Sequence, residues 1–347
     1  MELHAFVFEE SVPKALFDGF SKATGVRVKV ETYGTNEALV EALRARPSAY
    51  DLIMPSDYTV SALVAAGELR PLRLEAIRNV ANIGPSFLSP DFDPGTRAGV
   101  KAAKYSLPWV WGTTGILYDP ATIQPPPTKW ADLWAPSYAG KLVLLDDPRE
   151  MLGIALQVDG HSKNDTDPAH LAAAKARILT LAAGAVALDS NDPDRYFADG
   201  SASIGVLFSG DAVLARRANP RLAYTLPTDG PGIWFDNLAI PKGAAQPEAA
   251  EKLIDWLLQA NSGVAVIQAL PYSNPNEAAI GVLRTDDPTR WAEYTQDPAS
   301  TPSTDSLAGA VAVKHIGVEA QARYEAAWAE IIAARALAAP SLAAPTP

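Results

Sequence analysis

Leu3-His4-Ala5-Phe6-Val7-Phe8-Glu9-Glu10-Ser11-Val12-Pro13 decides how the chain begins to fold. Its first six residues read as a strand, Leu3 to Phe8. Ser11 is placed to cap a helix, and Pro13, tolerated only in a first turn, opens it. Leu16, Phe17 and Phe20 form that helix's apolar stripe, and Gly25 is the expected stop. Val26, Val28 and Val30 then alternate with Arg27, Lys29 and Glu31, as a half-buried strand does. A second helix is predicted from Thr35-Asn36 through Ala45. Tyr50-Asp51-Leu52-Ile53-Met54-Pro55 reads as a buried strand, and Ser56-Asp57-Tyr58 as the cap of the next helix. The order βαβαβα predicts a parallel sheet covered by helices. Ligands of such sheets sit beyond the carboxyl ends of strands, where Glu9, Glu10, Ser56 and Tyr58 fall.

Outward from there, residues 80 to 105 are loop-rich. Pro108-Trp109-Val110-Trp111-Gly112-Thr113-Thr114-Gly115 predicts a strand with glycines at a bend, suited to crossing between two lobes. Trp130-Ala131-Asp132-Leu133-Trp134 predicts a short helical turn after three prolines. Lys141 to Leu145 reads as a strand and Asp146-Asp147-Pro148-Arg149-Glu150 as a helix start. Asp147 and Glu150 are three apart, on one side of that first turn. Acids there also suit the helix dipole without any ligand. A helix over Ala172 to Ala183, strands at Ala185 to Leu188 and Ile204 to Gly210, and a helix from Asp211 follow. Helices are predicted over Pro247 to Gln259, Gly263 to Leu270 and Val318 to Leu337, with Tyr272 to Asn276 as a turn. Residues 339–347, rich in Ala and Pro, are predicted to be disordered.

The 347 residues allow two domains, and the composition, 48% hydrophobic and 20% charged, is that of a globular protein. No run approaches about 18 apolar residues, the minimum for a membrane-spanning helix. Met1 leads almost directly into a strand, so no signal peptide is expected within the chain. The formal charge of −11 argues against nucleic acid and anionic membranes as partners. With no cysteine, thiolate metal sites, a Cys nucleophile and disulfides are excluded. The histidines His4, His161, His170 and His315 lack metal-ligand spacing, so no metal is expected. No phosphate-binding glycine loop or nucleophile elbow occurs, so no cofactor and no enzymatic activity are expected.

Gly232-Ile233-Trp234-Phe235-Asp236-Asn237-Leu238-Ala239-Ile240-Pro241 carries the clearest chemistry. Read as a strand, it sets Trp234 and Asp236 on one face and Phe235 and Asn237 on the other. An indole beside a carboxylate suits an organic cation. A core Trp beside a locally pairing Asp is the competing reading.

Several stretches together resemble a known family. They are Leu3 to Phe20, Ser48 to Val60, Pro108 to Gly115, Thr128 to Leu133, Leu144 to Glu150, Gly205 to Ala212 and Trp234 to Pro241. The motifs are Tyr50-Asp51-Leu52-x-x-Pro55-Ser56, Trp130-Ala131-Asp132-Leu133-Trp134, Leu144-x-Asp146-Asp147-x-Arg149-Glu150 and Trp234-x-Asp236-x-Leu238-Ala239-Ile240-Pro241. From about residue 3 to 337 the chain resembles the polyamine-binding proteins of bacterial ABC importers, the spermidine/putrescine receptors of the extracellular solute-binding family.

The resemblance implies an α/β two-lobed periplasmic-binding-protein fold of type II, with a hinge and an interlobe cleft for the ligand. Lobe I would hold residues 1–111 and 237–281, lobe II 112–236 and 282–338. The implied ligand residues are Phe8, Glu10, Ser11, Ser56, Tyr58, Asp147, Glu150, Phe208, Trp234, Asp236 and Lys314. Phe8, Ser11 and Phe208 stand where the family usually has Trp, Tyr and Trp, and Lys314 where it often has an amide. The implied partners are spermidine or putrescine and a membrane permease. The implied protein is monomeric and periplasmic or extracytoplasmic, with a lipid anchor left open. A same-fold receptor for another small amine, an amino acid-like ligand or an anion bound through Lys314 is the alternative. A hydrolase with paired acids is more remote, as is a ferric receptor using Tyr50 and Tyr58.

Overall fold

The structure, a computed structural model, describes residues 1–9, 11–93, 96–97, 100–101, 103–270 and 272–338. In chain order it opens with β1 (Glu2–Phe8), α1 (Lys14–Thr24), β2 (Arg27–Tyr33), α2 (Asn36–Ala45), β3 (Leu52–Ile53) and α3 (Asp57–Ala65). Two short strands, β4 (Thr96–Arg97) and β5 (Val100–Lys101), precede the long β6 (Ser106–Tyr118). Then come β7 (Leu142–Leu144), α4 (Pro148–Val158), α5 (Pro168–Ala183), β8 (Ala185–Leu188), α6 (Arg195–Ala198), β9 (Ile204–Phe208), α7 (Ser209–Ala218) and β10 (Ala223–Thr225). The last elements are β11 (Gly232–Ala239), α8 (Pro247–Leu257), α9 (Ala260–Ala269), α10 (Glu277–Asp286), α11 (Pro288–Gln296), β12 (Val311–Ala312) and α12 (Val318–Ala338).

The chain divides into two compact units. The first is Met1–Gly112 with Ile233–Pro302, the second Thr113–Gly232 with Ser303 onward. The returns lie at 232/233 and 302/303, not at the expected 236/237 and 281/282. The difference has a physical cause. Helices α10 and α11, not anticipated from the sequence, pack on α9 through Ile267, Ala279, Leu283 and Tyr294, which holds them in the first unit. The expected disordered tail, 339–347, lies outside the described residues.

In the first unit β1 pairs in parallel with β2 on one side and β3 on the other, and β3 runs antiparallel to β11. β1 is buried on both faces. Leu3, Ala5 and Val7 join a core with Leu16, Phe17 and Phe20 of α1 and with α8. Phe6 points the other way, into a second core with Leu39 of α2 and Val60 of α3. This is why Leu3 to Phe8 is apolar at every position except His4. β2 is an edge, and the expected half-buried alternation holds at Val28 but fails at Val30, which is 39% exposed. Gly25 ends α1 at φ +72°, where a Cβ would be strained. Ser11 is not the cap of α1. The cap position is Pro13, and the Ser11 hydroxyl donates to Phe8 O at 2.7 Å.

In the second unit the strand order is β10-β6-β9-β7-β8. β7 is parallel to β8 and β9, and β6 is antiparallel to β9 and β10. Its core gathers Trp130, Leu144, Ile154, Ile178 and Val206 with one face of α12. The Tyr324 hydroxyl donates to Asp165 O at 2.7 Å and Trp328 Nε1 to Asp146 Oδ1 at 2.7 Å, so this pair, four apart, docks α12. The expected strand over Ile204 to Gly210 ends at Phe208, and α7 begins at Ser209.

The glycines at 112 and 115 mark no bend, because β6 runs unbroken for 13 residues. Gly115 is required for close approach instead. A Cβ there would lie 2.7 Å from Thr225 O and from the Tyr224 ring. Gly115→Ala is therefore expected to destabilise the second unit by about 1–3 kcal/mol, since β10 must shift to admit a methyl. Urea unfolding measures this, and an unchanged midpoint would show that β10 yields freely.

Candidate functional site

In the first unit the site starts where β3 ends. Extended Ser56 faces Asp236 of β11 in an antiparallel bridge. The Ser56 hydroxyl donates to Asp236 Oδ1 at 2.7 Å. Asn36, the first residue of α2, fixes that serine from both sides. Its Nδ2 donates to Ser56 Oγ at 3.0 Å, and its Oδ1 accepts from Ser56 N at 3.1 Å. Asp236 is half-buried, and loss of hydration pushes its carboxyl up to about 7 against the opposing pull of the Ser56 hydrogen bond.

Trp234 shares that strand face and packs on the first unit's core. Tyr272 meets it edge-to-face, with ring centroids 5.4 Å apart at 81°. Phe8, at the end of β1, tilts against Tyr33 at 4.5 Å. The Tyr33 hydroxyl donates to Met54 O, and burial raises it well above the ordinary tyrosine range. Tyr58, half-buried in the first turn of α3, donates to Glu37 Oε1 at 3.3 Å. Ser11 is buried, and its carbonyl accepts from Trp109 Nε1 at 2.9 Å. Glu10 lies outside the described residues. Tyr50 is a core residue whose hydroxyl donates to Glu31 Oε2 at 3.1 Å, which removes it from any ferric site.

On the opposite face of β11, Phe235 stacks with Trp111 at 6.2 Å and contacts Phe92 at 5.9 Å. Tyr272 and this second aromatic group were not singled out from the sequence. Tyr272 follows a proline in an apparent turn, and only the fold brings it to Trp234.

In the second unit, Asp147 caps α4. Its Oδ1 accepts from Arg149 N at 2.8 Å and Glu150 N at 2.9 Å. Glu150 is buried, and its Oε2 receives Lys163 Nζ at 2.8 Å. Lys163 has no exposed side-chain surface. Gly153, one turn beyond Glu150, makes room for it, since a Cβ there would lie 2.5 Å from Lys163 Cγ. Lys163 had no signal in the sequence, where the resemblance put a different lysine, Lys314, among the ligand residues. The Lys314 side chain is exposed, and its backbone is tied down instead. Its N–H donates to Asn164 Oδ1 at 2.7 Å, and its carbonyl accepts from buried Arg149 at 3.0 Å. Arg149 also lies 4.9 Å over the Tyr324 ring. Phe208, half-buried, ends β9 opposite Thr114.

In the first unit aromatic and carboxyl groups thus meet along β11 beyond the end of β3, and in the second they lie at the start of α4 and the end of β9. Asp236 can accept an ammonium hydrogen bond beside an indole face. Glu150 brings its own buried cation, so that pair carries no net charge.

The family model for Bacterial extracellular solute-binding protein matches residues 15–299. The spermidine/putrescine-binding periplasmic protein of Escherichia coli K12 is 35% identical over 283 residues, 81% of this chain and 79% of that protein. That of Salmonella typhimurium is 33% identical over 339 residues, 96% of this chain and 92% of that protein. A Streptococcus pneumoniae spermidine/putrescine ABC transporter substrate-binding protein of known structure superposes with a TM-score of 0.78. It is 28% identical and covers 96% of this chain and 99% of that one.

Removing Lys163 leaves a buried carboxylate without compensation, which costs about 3–5 kcal/mol. Lys163→Met is expected to lower the stability of the second unit by that order in chemical unfolding. Adding Glu150→Gln to it is expected to restore most of the loss. A single variant as stable as the parent would mean that Glu150 is not held charged by this lysine.

Proposed function

Because the chain belongs to the bacterial extracellular solute-binding proteins, we propose that it captures a polyamine, spermidine or putrescine, for uptake by an ABC importer. The observation that carries this reading is Asp236, half-buried, braced by Ser56 and flanked on its strand by Trp234 with Tyr272 against it. An alkyl-ammonium ligand needs this combination: a carboxylate for the charge and ring faces for the methylene chain. Phe8, Ser56, Tyr58, Trp234 and Asp236 of the first unit and Asp147, Glu150 and Phe208 of the second are the proposed contacts, together with Glu10, Ser11 and Lys314. The similarity to periplasmic binding proteins supports an extracytoplasmic location, a membrane permease as the receiving partner, and a carrier rather than an enzyme.

Hydrogen bonds to charged groups contribute roughly 1.5–3 kcal/mol each, and a cation over an aromatic face about 0.5–2 kcal/mol. Three or four such contacts reach the roughly 8 kcal/mol of micromolar binding. Because Glu150 is balanced by Lys163, Asp236 carries much of the electrostatic selection.

Calorimetric titration of ligand-stripped protein with spermidine and putrescine tests the reading. Binding is expected to weaken as salt rises, because charge attraction is screened. Asp236→Asn is expected to weaken it by about 1.5–3 kcal/mol. Unchanged affinity in that variant would remove Asp236 from the site, and silence with both amines would remove the polyamine.

The raised Asp236 carboxyl also sets a pH dependence. An ammonium ligand requires the ionised form, so below about 7 binding must expel a proton. Affinity is expected to fall by up to about tenfold per pH unit below 7 and to level off above it. Asp236→Asn should abolish that slope. For folding the sign is opposite. A carboxyl raised above its unfolded value contributes fully at pH below the unfolded value, about 4, and loses stability as pH rises toward 7.

A further inference from the structure

The connection between α4 and α5 holds a group of donors that the amine site does not use. Its sequence is Asp159-Gly160-His161-Ser162-Lys163-Asn164-Asp165-Thr166-Asp167. The backbone of this loop is fixed at several points. His161 N donates to Leu156 O at 2.9 Å, and Asp165 O accepts from the Tyr324 hydroxyl at 2.7 Å. Lys163 is locked in the core by Glu150, and the Asn164 side chain donates to Ala312 O at 2.9 Å. Asp167 then caps α5, accepting from Ala169 N and His170 N.

The loop so held brings His161 back over His170, nine positions on in the chain. The two imidazole rings lie 3.7 Å apart at 15°, nearly face to face. Asp165 Oδ2 lies 2.9 Å from His170 Nδ1. Among the described residues, His161, Asp165 and His170 form a group whose nitrogen and carboxylate donors all lie within 4.8 Å of one another. All three are part-exposed, so solvent and ions can reach them.

A parallel face-to-face stack is a poor arrangement for two aromatic rings, which prefer offset or edge contacts. Two imidazoles and one carboxylate on a rigid loop are, by contrast, a familiar donor set for a first-row divalent ion. Calcium and magnesium prefer all-oxygen shells. The part-exposed rings can turn about their side-chain bonds, without disturbing the core, to bring both lone pairs onto one ion.

We propose that His161, His170 and Asp165 bind a divalent transition-metal ion, with zinc as the representative. The carboxylate either ligates the ion or orients His170 by accepting from its Nδ1–H. The three donors leave a coordination position for water. The ion would tie the loop to α5 and so secure the segment that delivers Lys163 to Glu150.

The test uses the full chain, stripped with chelator and titrated with zinc chloride in a calorimeter. The expected result is one zinc ion per chain and a higher thermal-unfolding midpoint. Calcium chloride should give no heat. The H161Q/H170Q pair should lose the zinc signal, and Asp165→Asn should weaken it by about 10–100-fold. H4Q/H315Q should leave it unchanged. All these variants alter part-exposed or exposed side chains, and circular dichroism verifies their fold. If the double variant unfolds, the singles H161Q and H170Q, each expected to weaken zinc, decide the matter. No zinc uptake, or uptake that survives H161Q/H170Q, would overturn the proposal.

Discussion

Burial of the central strands on both faces is the constraint from which the rest follows. A strand covered by helices on each side tolerates a polar side chain along its length only where a partner meets it, because burying an unpaired polar group costs several kcal/mol. β1 follows this, with Leu3, Ala5 and Val7 toward one core and Phe6 toward the other, while its interior polar residue, His4, is part-exposed and lies 3.0 Å from Glu2 Oε1. Polar chemistry is therefore driven to strand ends and helix starts. Ser56 and Asp147 lie there, whereas Asp236 lies within β11, where Ser56, bridged to it from beyond the end of β3, supplies its partner.

The two carboxylates of interest meet burial in different ways. Asp236 has a hydroxyl for a partner and no neighbouring cation is needed to explain its state; desolvation raises it to about 7. Glu150 is taken deeper and is matched by Lys163 at 2.8 Å. The first solution leaves a group whose charge an arriving cation can stabilise. The second fixes a charge pair inside the unit, where it shapes the packing of α4 and its following loop. That loop serves two ends, since the same short segment also carries the histidine and carboxylate donors. Its geometry is held by the Tyr324 hydroxyl of α12 and by the Ala312 carbonyl of β12, which accepts from the Asn164 side chain.

Much of the fold was legible in the chain. Strands over Leu3 to Phe8 and Ala185 to Leu188, helices over Asn36–Ala45 and Pro247–Leu257, and the Gly25 stop follow from periodicity and turn chemistry. Helices α10 and α11 escaped notice because they are short, and the packing that orders them comes from Val264 and Ile267 of the preceding helix, which meet Ala279, Leu283 and Tyr294. At the site, Trp234 and Asp236 were visible as neighbours on a strand face. Tyr272 was not, because it sits 38 positions beyond Trp234 with no periodic relation to it.

The sequence by itself determined the alternation of apolar strands and amphipathic helices, the family of binding proteins, and the residue types at strand ends. These are local properties, set by side-chain period, turn residues and short motifs. Only the tertiary structure decided which charges meet. Lys163 became the partner of Glu150; Ser56 became the partner of Asp236 across 180 positions; and His161 came to lie on His170. The reason is physical. Ion pairing, desolvation and metal-donor geometry depend on distances of a few ångströms between residues remote in the chain, and those distances exist only once the cores have formed.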